Sequence, residues 1–140
     1  MGDKVILGAD GSGSKAGRFL TYAVRARGFV FTTISRGHDP ATFDPSTETG
    51  VLATDLSQEI RFALERQRDV LKDAGSDLEH VLKVNLYVNG GHGTDPEFVN
   101  AEYDKFFSDH GVAKPPVRCT VEVAFVEGRI AVDVMATTAS

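Results

Sequence analysis

Hydrophobic and polar positions alternate most regularly over residues 115–136, where two runs are separated by Glu127-Gly128. Val117, Cys119, Val121, Val123 and Phe125 share one parity of the first run. Ile130, Val132, Val134 and Ala136 share one parity of the second. Side chains alternate across a strand, so the pattern predicts a hairpin with one apolar face. Arg118, Thr120 and Glu122 then stand together on the other face. Cys119 falls on the apolar side, as a core residue with nothing nearby to activate its thiol. A two-residue turn would set Glu122 opposite Asp133, an unfavourable pairing of carboxylates. It would leave Arg118 about 13 Å further along the ladder. A small ligand touching both Arg118 and Asp133 therefore needs a bulge in the register or two different chains.

The rest of the chain is punctuated clearly. Residues 19–34 predict a first hairpin turning at Arg27-Gly28, with Phe29-Val30-Phe31-Thr32-Thr33 as the return strand. Residues 37–50, broken by Pro40 and Pro45, predict a loop. Asp55, with Gln58 three places on, opens a helix that Gly75 closes. Leu56, Ile60, Ala63, Leu64, Val70, Leu71 and Ala74 form its apolar stripe, and Glu59, Arg61, Glu65, Arg66 and the other charges fall on the solvent side. Leu82, Val84, Leu86 and Val88 alternate with Lys83, Asn85, Tyr87 and Asn89 as a strand. A flexible loop, Asn89-Gly90-Gly91-His92-Gly93, follows it. Asp95-Pro96 starts a second helix that runs to Gly111 and buries Val99, Tyr103, Phe106 and Phe107. The order β-β-α-β-α-β-β is an α+β domain with two helices on one face of a mixed sheet. No element is left to cover the second face, which predicts self-association. Residues 1–18, Gly/Ser-rich beyond a short Val5-Ile6-Leu7 strand, are expected to be a flexible leader, with 19–140 the single domain.

At 140 residues the chain fits one domain. A net charge of -5 argues against a nucleic-acid surface. One cysteine, Cys119, rules out an internal disulfide and suits a reducing compartment. No apolar run reaches membrane-span length and no signal peptide is evident, so no membrane partner and a cytoplasmic location are expected. The leader's glycines lack the Gly-Lys-Ser/Thr order of a phosphate loop. His38, His80, His92 and His110 have no metal-ligand spacing and read as surface histidines. His92, flanked by glycines, is also a candidate substrate contact, as is Glu122. Arg25 and Arg36 read as solvated charge, with binding of a diacid as the alternative. Arg118 beside Pro115-Pro116 has the planar fork that clamps a carboxylate; an ordinary surface arginine is the alternative.

Several segments in order resemble the Rid (YjgF) family of small trimeric proteins. They are Gly28-Phe29-Val30-Phe31, Val70-Leu71-Lys72-Asp73-Ala74-Gly75, Val81-Leu82-Lys83-Val84, Phe98-Val99-Asn100-Ala101-Glu102-Tyr103 and Pro116-Val117-Arg118-Cys119-Thr120-Val121-Glu122-Val123. The resemblance implies a chorismate-mutase-like fold, a homotrimer around a central barrel of sheets, and sites between subunits. It implies hydrolysis of a 2-imino or 2-enamino carboxylate to a 2-oxo acid and ammonia, with no metal or organic cofactor. Arg118 matches the family's carboxylate-binding arginine, and Thr120 the position whose backbone touches the reacting carbon. Asp133 matches the acidic residue that places water, and is one methylene shorter than the family's glutamate. Asn100 matches a frequent family asparagine, read as structural. The family's Gly-Pro-Tyr element is replaced here, with Leu20 at the tyrosine position and Tyr22 as a substitute two places on. Its Ser-Gly-Gln element is replaced by Thr33-Ile34-Ser35, leaving Thr33 and Ile34 as substrate contacts. A pathway-specific enzyme acting on an aminomuconate-like or aminoacrylate-like substrate fits these departures. So does a non-catalytic, carboxylate-binding or regulatory trimer of the same fold.

Overall fold

The first turn shows how directly sequence sets geometry here. Arg27 and Gly28 both have positive φ, at 52° and 79°. Two left-handed residues in succession make the tight turn whose twist matches a hairpin. That turn joins β2 (Ala23–Ala26) to β3 (Phe29–Thr32). The computed structural model describes residues 4–15, 17–18, 20–92, 94–124 and 127–139, with the side chain of His92 outside the description. Phe19 and Phe125, which enter the two expected hairpins, also lie outside the described residues.

Six strands form one sheet in the order β1-β2-β3-β6-β4-β5. They are β1 (Val5–Leu7), β2, β3, β4 (Val81–Asn89), β5 (Val117–Val123) and β6 (Ile130–Thr137). The mixed α+β architecture is as expected, and the short Val5-Ile6-Leu7 strand forms as β1 and joins the sheet. The stretch read as a leader thus carries the edge strand β1, antiparallel to β2. The loop after it is tied to the domain where Ser14 N–H donates to the Asp73 carboxylate.

Helix α1 (Leu56–Asp73) is capped by Asp55, whose side chain accepts from Ser57 N–H. Gly75, at φ 84°, and Ser76 close it by returning N–H groups to Lys72 and Leu71. Helix α2 (Pro96–Asp109) is capped by Asp95 and buries Val99, Tyr103, Phe106 and Phe107 as expected. Both helices pack on the face carrying Val30, Val84, Leu86, Val88, Ile130, Val132 and Val134.

The closing hairpin is not formed. β5 pairs parallel with β4, and β4 pairs antiparallel with β6, so β4 separates the two expected partners. The physical reason is α2: a parallel pair needs a long crossover, and the helix between β4 and β5 supplies it. Asp133 therefore faces Asn85 and not Glu122. The two apolar parities also lie on opposite faces of the sheet. Ile130, Val132 and Val134 meet the helices, whereas Val117, Cys119 and Val121 share the open face with Asn85 and Tyr87. Cys119 is accordingly exposed and is not a core residue.

Two charges expected in solvent are in the core. Glu59 is 1% exposed, and its carboxylate accepts from Arg129 N–H at 2.7 Å and Arg129 Nε at 2.6 Å. Arg66 is buried and donates to the carbonyls of Arg36 and His38. Gln67 fixes α1 to the sheet: its amide donates to the carbonyls of Thr33 and Val132 and to Ser35 Oγ, and its carbonyl accepts from Thr32.

Replacing Gln67 by alanine leaves the part-buried Thr33 carbonyl without its Gln67 donor, leaves the Val132 carbonyl with Ser35 N–H alone, and opens a cavity. Gln67→Ala should lower unfolding free energy by about 2–4 kcal/mol in urea titration; a loss below about 0.5 kcal/mol would contradict the clamp.

Candidate active site

The candidate residues fall into three places. The first is the helix-side face of β5. Arg118, Thr120 and Glu122 pair there with Val84, Leu86 and Val88, all on the same face. Arg118 donates from Nη1 to Asp104 at 3.0 Å, and its guanidinium lies 4.9 Å from the centre of the Tyr103 ring. Its only ionic partner among the described residues is this exposed carboxylate, a weak surface pair that a ligand carboxylate can displace. Thr120 Oγ1 lies 3.4 Å from Asn100 Oδ1 on α2. Glu122 closes over the backbone of Gly90, where any side chain would collide with its carboxylate. A cavity of about 270 Å³ opens here, between Thr120, Glu122, Gly90 and the start of α2 at Thr94 and Pro96.

The second place is the end of β3. Thr33 and Ile34, with Leu20, line a cavity of about 250 Å³ with Arg18, Arg36 and Arg66. The substitute tyrosine is not there. Tyr22 is fully buried, and its hydroxyl donates to Asp73 on α1. Burial, then this hydrogen bond to a carboxylate, pushes it up to about 12. His38, expected at the surface, is buried in this region, 2.9 Å from Glu127 and 5.3 Å from the Phe43 ring centre. Arg25 is part-buried and donates to the Ala74 carbonyl.

The third place is the open face. Asp133 accepts from Asn85 Nδ2 and from the Tyr87 hydroxyl, each at 2.8 Å. Burial and then this carboxylate push Tyr87 up to about 12. Burial also raises Tyr103, with Arg118 opposing it.

One chain does not bring the three together. Arg118 and Asp133 lie on opposite faces, with β4 between their strands. From β3 to β5 the sheet steps across β6 and β4, roughly 14 Å at normal strand spacing. The open face holds Phe29 (44% exposed), Phe31 (47%) and Val117 (66%), beside Val121 and Met135. Arg18, Gln67 and the Glu59–Arg129 pair carried no signal in sequence, because residues far apart along the chain give them their environment.

The sequence model of the family described as Endoribonuclease L-PSP matches residues 13–140. This chain is therefore a member of that family, the Rid (YjgF) family. Over 103 residues it is 32% identical to 2-iminobutanoate/2-iminopropanoate deaminase of Salmonella typhimurium, covering 74% of this chain and 75% of the relative. Over 89 residues it is 28% identical to a RutC family protein of Pasteurella multocida, covering 64% and 67%. The crystal structure of the E. coli YjgF gene product superposes with a TM-score of 0.74 at 22% identity, covering 95% of this chain and 98% of that one. That of E. coli TdcF with bound serine gives 0.73 at 21%, covering 96% and 98%. These two structures confirm the fold. No helix among the described residues is long and apolar enough to cross a membrane.

All three tyrosines are held protonated beyond the ordinary range, so none should ionise near pH 10. The folded state favours their neutral form. Their contribution to stability is complete below about 10 and declines as pH rises toward 12. Asp133→Asn should advance one tyrosinate absorbance transition toward 10, short of reaching it because burial remains. An unchanged titration would show that the Asp133 carboxylate does not hold Tyr87.

Proposed function

We propose that the protein hydrolyses a 2-imino or 2-enamino carboxylate to a 2-oxo acid and ammonia, at a site assembled between copies in a homotrimer. The observation that carries this reading is Arg118, an exposed residue on an edge strand whose single counter-ion among the described residues is itself exposed. The similarity to the Salmonella deaminase supplies the reaction class, and the serine held by the TdcF structure is an amino acid with the same carboxylate handle. The open face supports assembly, because it exposes Phe29, Phe31, Met135, Val117 and Val121, apolar side chains that a partner surface would cover.

In this reading Arg118 fixes the substrate carboxylate, and the backbone at Thr120 faces the carbon bearing nitrogen. That carbon is already electrophilic, so orientation and one base suffice. Asp133 of a neighbouring copy takes a proton as water adds to the C=N bond. The resulting carbinolamine then loses ammonia as the carbonyl forms. Asn85 and Tyr87 orient the carboxylate that accepts the proton. Glu122, on the same face of β5 as Arg118, is a carboxylate that can exchange protons with the leaving nitrogen.

A second reading, a carboxylate-binding trimer without catalysis, is favoured by Tyr22, whose hydroxyl is committed to Asp73 and away from the β3-end cavity. Imines generated by an amino-acid oxidase separate the two. Wild type should accelerate their hydrolysis, and Arg118→Ala should lower kcat/KM by about 100-fold, the loss of a charge-assisted clamp. Asp133→Asn should lower kcat while product affinity measured by calorimetry persists. Absence of acceleration on every imine, with binding retained in wild type, would favour the second reading.

A further inference from the structure

The cavity at the end of β3 is built for an anion. It lies between α1 and the loop after β3, with Arg18, Arg36, Arg66 and Glu48 around it and Leu20 and Ile34 at its rim. Three guanidiniums converge on one small space, and Glu48 is the one carboxylate among its lining residues. Like charges this close repel unless an anion lies between them.

Arg66 is engaged as a donor, since its two terminal nitrogens reach the Arg36 and His38 carbonyls, and its Cζ lies 4.0 Å from the Phe43 ring centre. Those partners are neutral; burial and then the Arg18 charge disfavour its charged form, against the carboxylates of Glu48, Asp69 and Glu65. Arg18 is different. It is 4% exposed, and one terminal nitrogen is paired with Glu48, but its Nε and Nη1 are buried with no partner among the described residues. The Nε of Arg36 is buried and unpartnered in the same way. Glu48 holds its arginine from a left-handed backbone, φ 57°, a conformation unfavourable for a side chain of this size.

Buried donors on charged groups are costly when left unmade, and folded proteins rarely keep them. Water would satisfy the N–H groups and leave the charge. A carboxylate satisfies both, and the planar fork of arginine matches its two oxygens. The neighbouring Leu20 and Ile34 suit the carbon skeleton that would carry it.

We propose that this cavity binds a second carboxylate of the substrate, so that the imine or enamine acted on by this protein is a dicarboxylate. The assignment rests on the deaminase reading above, with Arg118 of one copy taking the carboxylate beside the nitrogen and Arg18 and Arg36 of another taking the distal one. It explains why the position matching the family tyrosine is Leu20 and why arginines surround it.

The test compares 2-oxoglutarate with 2-oxobutanoate in calorimetric titration, and the corresponding imines in turnover, on the full chain. Wild type should bind the dicarboxylate at least about 10-fold more tightly, the size of one charge-assisted hydrogen bond. The kcat/KM ratio of the two imines should show the same preference. Arg36→Gln should abolish the preference, and Arg18→Gln is the second variant, each checked for folding by circular dichroism. Arg118→Ala should weaken both ligands in parallel. Equal affinities in wild type, or a preference that survives both cavity variants, would overturn the assignment even if monocarboxylate imines are hydrolysed. Inorganic phosphate competing as well as 2-oxoglutarate would overturn it also, by marking a general anion site. A preference lost in Arg36→Gln without turnover of any imine would support the cavity and sink the deaminase reading.

Discussion

The parallel pairing of β4 with β5 is the constraint on which the rest of the molecule depends. Because it is parallel, the chain must cross over between the two strands, and α2 is that crossover. Because α2 runs beside β5, its Asn100, Tyr103 and Asp104 reach helix-side residues of that strand, which stay exposed. Arg118 is thereby held beside Tyr103 and Asp104. Because β5 ends the sheet, seven residues of strand present one unpaired edge among the described residues. An edge so long and so apolar on one face is normally covered in the working protein.

The same pairing explains why alternation alone misassigned the closing segment. Two adjacent alternating runs with Glu-Gly between them satisfy every local rule for a hairpin. What overrides them is β4, whose buried Val84, Leu86 and Val88 fit between Val134, Val132 and Ile130 on one side and the β5 backbone on the other. Strand order is a tertiary property, and nothing within residues 115–136 reports it. The helices, by contrast, were legible residue by residue. Asp55, Gly75, Asp95 and Pro96 mark their ends through capping chemistry that acts within a single turn.

Legibility of the site divides along the same line. Arg118, Thr120 and Glu122 share a face because parity is local, and the sequence pattern placed them together correctly. The distance between Arg118 and Asp133 also signalled that one chain would not bring them into contact, although the register behind that estimate was different. The buried partners of α1 were invisible. Glu59, Arg66 and Gln67 look like solvent residues on a helical wheel, and only Arg129, the β3 end and the loop after it turn them inward. Arg18 is the extreme case, a charge in a Gly/Ser-rich stretch that folding encloses with Glu48 thirty residues away. Polar burial of this kind depends on contacts of long sequence separation, which periodicity does not encode.

The central claim is that catalysis needs residues from two copies, Arg118 from one and Asp133 from another. Mixing the two impaired variants tests it directly. Arg118→Ala and Asp133→Asn would be unfolded together and refolded together, with native mass spectrometry to verify mixed assemblies. The account predicts that the mixture regains imine hydrolysis that neither variant shows alone, since some interfaces then carry both native residues. Mixed assemblies that remain as inactive as the separate variants would contradict it.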